Sequence, residues 1–126
     1  MTQERVKMQE IGLVERFLER IFSSAFGPTC FQVINFHVRR HKGRSLTELL
    51  FENPKEACNI VLAIIGGGKT QARLLRNVFE NHLEKTLGHP INGELYEALI
   101  KNNAEKVREK LVKIAREYME IQLRRL

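Results

Sequence analysis

The chain contains no aspartate. Its 15 acidic residues are all glutamate, in a sequence of 126 residues. Glutamate suits helix interiors, whereas aspartate prefers caps and turns, so the acids are placed for helices. Any mechanism that needs an aspartate is excluded. Cysteine is scarce too. Cys30 and Cys58 are the two present, each inside a helical pattern, and they read as buried thiols of a reducing compartment more readily than as a disulfide. No apolar run approaches the ~18 residues of a membrane span. The N-terminal MTQERVKMQE is charged throughout and has no signal-peptide core. The expectation is a cytoplasmic protein with no membrane partner. No convincing strand, low-complexity tract or internal linker is present either.

What is present is helical and basic. Apolar residues make up 43% and charged residues 29%, the balance of one globular domain able to bury a core without staples. Lys and Arg number 21, for a net charge of +6, which permits a polyanion partner. The Glu/Lys/Arg-rich composition resembles that of proteins from heat-loving organisms.

Apolar steps of three and four mark a first helix from about Glu4 to Ala25, through Val6, Ile11, Val14, Phe17, Leu18, Ile21 and Phe22. Phe26-Gly27-Pro28 ends it, and Pro28 suits the first turn of the next. That second helix runs to about His41 with Phe31, Val33, Ile34 and Val38 inward, and Gly43 closes it. Ser45-Leu46-Thr47-Glu48 is a capping box that opens a short helix. Asn53-Pro54 starts another, Pro54 to Ile65, although the cluster Ile60, Val61, Ile64 and Ile65 would also suit a strand. After Gly66-Gly67-Gly68, a helix from Thr70 to Leu87 carries Ala72, Leu75, Val78 or Phe79, and His82 or Leu83. A turn at 89–93 leads to a short helix, Glu94 to Asn102, with Leu95, Leu99 and Ile100 inward. Asn102-Asn103 breaks and re-caps. The last helix, Ala104 to about Leu123, has Val107, Leu111, Ile114, Tyr118 and Ile121 in a heptad-like seam. The reading is all-α: a single domain, a compact orthogonal bundle of about six or seven helices with a long C-terminal helix.

Phe26-Gly27, Phe51-Glu52-Asn53-Pro54 and Ile64-Ile65-Gly66-Gly67-Gly68 together give residues 25–87 a resemblance to a small archaeal helical domain of unknown function, the Nitrosopumilus output domain. The resemblance implies an all-helical archaeal fold and no activity. The final helical pair, 94–126, lies outside it.

Three patterns bear on function. Ala63 to Thr70 fits a relaxed phosphate-loop pattern, in which glycine N–H groups cradle a phosphate and Lys69 reaches it. A working phosphate loop needs a strand before it and a second acidic ligand for magnesium. Neither is evident, so the segment reads as a helix–glycine–helix corner. A smaller role survives: phosphate or nucleotide binding at Gly66–Thr70 without hydrolysis, at a helix N-terminus with Lys69, Arg73 and Arg76 nearby.

Arg39-Arg40-His41-Lys42-Gly43-Arg44 is the most basic segment, with no acid interleaved. Cations are favoured at a helix C-terminus by the dipole alone, yet such clusters also neutralise phosphates. No recognition-helix pattern accompanies it, so contact would be to backbone or shape. His37 and His41 share a helix face at a spacing that can bind zinc, but further ligands are lacking, and no metal or cofactor is expected. The glutamate pairs Glu15/Glu19 and Glu80/Glu84 read as solvated faces.

Finally, Tyr118, Met119, Ile121 and Leu123 leave apolar side chains on more than one face of the last helix, a candidate homodimer interface. The sequence therefore suggests a binding module without catalytic activity. Its expected partner is RNA, the ribosome or DNA, contacted through Arg39, Arg40, Lys42 and Arg44, with Lys69, Arg73 and Arg76. The alternatives are a homodimeric protein-interaction domain and the phosphate site.

Overall fold

A computed structural model describes residues 2–64, 69–91 and 94–124. Among them are seven α-helices and no strand: α1 (Thr2–Phe26), α2 (Cys30–Lys42), α3 (Leu46–Glu52), α4 (Pro54–Ile64), α5 (Lys69–Leu87), α6 (Glu94–Ile100) and α7 (Ala104–Arg124). The glycine stretch 66–68, with Ile65, lies outside the described residues, as do the side chains of Lys69, Thr70, Ala72, Leu75, Val78 and Phe79. Of the positions expected on the inner face of α5, Ala72, Leu75 and Val78 or Phe79 are therefore not placed, whereas Leu83 is placed and buried.

The two long helices form the frame. Val14, Phe17, Leu18 and Ile21 of α1 and Val107, Leu111, Ala115 and Tyr118 of α7 are buried at helical spacing. Glu10 meets Arg108 near one end of the pair, and Phe17 meets Tyr118 further along. Position rises together in both helices, so α1 and α7 run parallel. Helix α1 also touches α2, α3 and α5, while α7 touches α3, α5 and α6.

The connections follow local chemistry. Gly27 and Gly43 take left-handed φ values of 104° and 68°, which side chains resist. Gly43 also returns its N–H to the Arg39 carbonyl at 2.8 Å. Helix α2 begins at Cys30, two residues after Pro28, so Pro28 belongs to the turn and not to the helix. The capping box forms as expected: Ser45 Oγ accepts from the Glu48 N–H at 3.1 Å, and Glu48 accepts from the Ser45 N–H at 3.3 Å. Asn35 of α2 accepts from the Leu46 N–H at 2.9 Å, fixing the entry of α3. Asn53 caps α4 through the Glu56 N–H.

The α6–α7 corner is a Schellman motif, with Asn103 N–H on the Ala98 carbonyl and Asn102 N–H on Leu99. Asn102 takes φ 55° there. Its side chain also accepts from the Lys55 N–H at 3.1 Å, capping a helix far away in sequence.

Three positions read as inward are not. Ile100 is 56% exposed, because α6 buries Leu95 and Ala98 and the next turn carries Ile100 away from that face. Val33 is nearly half exposed, since α2 buries Phe31, Ile34 and Val38 and Val33 falls beside that stripe. Val6 precedes the first buried residue of α1 by two turns and is likewise exposed.

Candidate functional site

The basic segment wraps the corner between α2 and α3. Arg39, Arg40, His41 and Lys42 form the last turn of α2, and Arg44 follows the Gly43 cap. The corner is held by the glycine turn, the Asn35 bond and the capping box, so the cations sit on rigid backbone.

Tertiary structure supplies what the local sequence lacked. Arg39 lies 4.0 Å from Glu15 of α1, Lys42 pairs with Glu56 of α4, and Arg44 pairs with Glu52 of α3. Three helices thus each bring one carboxylate to a segment that has none of its own. The corner is less electropositive than the sequence suggests, and the absence of interleaved acid does not carry over into space. Among the described residues, Arg40 is the cation of this cluster without a carboxylate partner. All three pairs are at the surface, where such pairs contribute about 0–1 kcal/mol and exchange readily.

Aromatic rings occupy the turn of α2 that precedes Arg40. Phe36, one helical turn before it, is 61% exposed. The Phe36 ring meets His37 edge-on at 5.8 Å, and His37 stacks on His41 at 6.4 Å with planes 11° apart. His37 and His41 do share a face, but among the described residues no group of three or more His, Cys or Glu side chains converges as a metal site would need.

The α5 cations are not all gathered with them. The side chain of Lys69 lies outside the described residues. Arg73 is exposed. Arg76 turns to other partners: its guanidinium lies 4.3 Å over the Tyr96 ring, and its Nε donates to Glu80 at 3.4 Å. Residues 60–64 are α-helical, so the strand that a phosphate loop requires is replaced by the last turn of α4.

The proposed interface residues divide. Tyr118 is 6% exposed and packs edge-on against Phe17, with centroids 5.3 Å apart and planes at 69°. It is a core residue and is unavailable to a partner, because the α1 frame covers it. Met119 and Ile121 are half-buried against the same core, and Leu123 is 67% exposed. The two cysteines are half-buried and free. Burial raises both thiols, Cys58 to about 11, so at neutral pH both are protonated and poor nucleophiles.

Not foreseen from the sequence is a cavity of about 290 Å³, partly open to solvent, bounded by α1 and α3–α7. Its walls are mostly leucine and isoleucine side chains, with Lys55, Arg76 and Glu80 among the few charged groups on its lining. The available signal was α4. Besides the buried Ala57 and Val61, it carries Cys58, Ile60, Leu62 and Ile64, more apolar surface than one buried stripe uses. Of these, Cys58 and Leu62 face the cavity.

Comparison with protein-family models, with curated proteins and with solved structures gave no match.

Proposed function

We propose that this chain is a non-enzymatic, cytoplasmic binding module that contacts a polyanion, the phosphate backbone of RNA, the ribosome or DNA, through the C-terminal corner of α2. The observation that carries this reading is Arg40, which has no carboxylate partner among the described residues and stands one turn from the exposed ring of Phe36. A phosphate chain can exchange for the surface carboxylates on Arg39, Lys42 and Arg44, and each cation so freed adds to counterion release. Phe36 gives an unpaired base a face to stack on, beside an arginine that holds the backbone. Arg73 is a further exposed cation, on α5. Arg76 has its own partners and contributes less than the sequence implied.

The test is fluorescence anisotropy with a labelled single-stranded RNA and a labelled duplex DNA across a salt series. Binding at low salt that falls steeply with ionic strength, and that is lost in Arg39→Glu/Arg40→Glu, is the expected result. No binding at low salt, or binding indifferent to salt and to that double substitution, overturns it.

The homodimer reading keeps one supporting observation, the exposed Leu123 beside half-buried Met119 and Ile121. It is a smaller patch once Tyr118 is removed. Sedimentation at high concentration decides it, with Leu123→Glu as the variant that should lower any self-association.

A further inference from the structure

We propose that the cavity bounded by α1 and α3–α7 is a binding site for a small amphiphilic acid, an aliphatic monocarboxylate of medium chain length. Its volume of about 290 Å³ lies at the lower end of small-molecule sites, ~300–1,000 Å³. The lining is what an alkyl chain requires: Leu62 of α4, Leu83 of α5, and Leu95 and Leu99 of α6 face it, along with further leucines from α1, α3 and α7. Walls of this kind favour the apolar part of a ligand.

Charge decides the other end of the ligand. Arg76 lines the cavity, and its side chain is held over Tyr96 while Glu80 engages Nε. Its two terminal nitrogens have no partner among the described residues. A guanidinium fixed in this way presents the paired donors that a carboxylate accepts. Lys55, on the same lining, adds a second positive charge. With Glu80 engaged by Arg76, the charged lining is net positive, which favours a carboxylate over an alcohol of equal length and over an alkylammonium. Cys58 also faces the cavity, whereas Cys30 does not, so the two thiols give an internal reporter and its control.

The proposal is independent of polyanion binding at the α2 corner and is tested without nucleic acid. Decanoate, decanol and decyltrimethylammonium are titrated calorimetrically into the intact chain, and alkylation of Cys58 and Cys30 is followed by mass spectrometry at mildly alkaline pH. Decanoate should bind at least tenfold more tightly than either analogue. Saturation should slow modification of Cys58 by at least tenfold and leave Cys30 unchanged. Arg76→Gln should erase the preference for the acid while retaining decanol binding. Leu62→Phe, which extends into the cavity, should weaken decanoate binding and raise the melting temperature of the unliganded chain. Equal affinity for decanoate and decanol overturns the assignment of Arg76 and the acid. Absence of binding, or protection of both thiols alike, overturns the site itself.

Discussion

Arg108 of α7 donates from two nitrogens to a single carboxylate oxygen of Glu10 in α1, with Nε at 3.1 Å. The same guanidinium lies 5.9 Å from the ring of Phe51 in α3. One side chain therefore joins three helices at one end of the α1–α7 frame. Glu10 is largely covered, and charge-assisted bonds to a shielded carboxylate contribute more than open surface pairs.

Arg108→Ala should destabilise the fold by about 1–3 kcal/mol, because it leaves the Glu10 carboxylate without its donors. Arg108→Lys should recover only part of this. Lysine keeps the charge but loses the fork and the flat face over Phe51. Urea denaturation of both variants checks the order; equal stability of the lysine variant and the parent would show that the stack over Phe51 contributes nothing.

Thr47 sits fully buried in the first turn of α3, and its hydroxyl has no partner among the described residues. Valine has nearly the same shape, so Thr47→Val should stabilise the domain by about 1 kcal/mol, the cost of burying an unpaired hydroxyl. Thermal and chemical denaturation read this directly. Loss of stability would mean that the hydroxyl is satisfied in solution, for example by water.

Tyr118 and Leu123 should behave oppositely. Tyr118→Ala removes a buried ring packed on Phe17 and should cost about 3–5 kcal/mol. Leu123→Ala should change stability by less than ~0.5 kcal/mol. Chemical denaturation separates them, and a large loss at Leu123 would show that the outer turn of α7 is covered in solution.

His89 links the α5–α6 turn to α7. Its Nδ1 bonds the Pro90 carbonyl at 3.1 Å and its Nε2 bonds Glu117 at 2.5 Å. The Pro90 bond first, and then Glu117, hold its pKa above the ordinary 6.5. The charged ring is thus favoured by folding. The stabilisation is complete below pH ~6.5 and disappears as pH rises through the raised folded value. Melting temperature should fall over that window in the parent and fall less in His89→Gln or Glu117→Gln. Equal slopes in all three would rule the linkage out.

Much of the fold was legible because its signals are local. Gly43, the Ser45–Glu48 box, Asn53-Pro54 and Asn102-Asn103 each act within a few residues, and each ends or starts a helix where sequence places it. The site was less legible because it depends on neighbours distant in sequence. Glu15, Glu52 and Glu56 reach the basic corner only through packing. Tyr118 fitted a core seam and an interface equally well until α1 was laid over it. The capping of Lys55 by Asn102 spans two helix boundaries, and no periodicity in either segment announces it. The cavity depends on how six helices fail to fill a space, which is a property of none of them singly.

The α1–α7 pairing has a consequence for synthesis. The inner face of α1, Val14, Phe17, Leu18 and Ile21, is made before α7, one of its main covers, which follows α2 to α6 in the chain. At ~5–20 residues per second, that stripe stays incompletely sheltered for several seconds while α2 to α6 emerge. Nascent chains stopped before α7 should therefore expose apolar surface, bind holdase chaperones and be cut by proteases, and resistance should appear abruptly once α7 clears the exit tunnel.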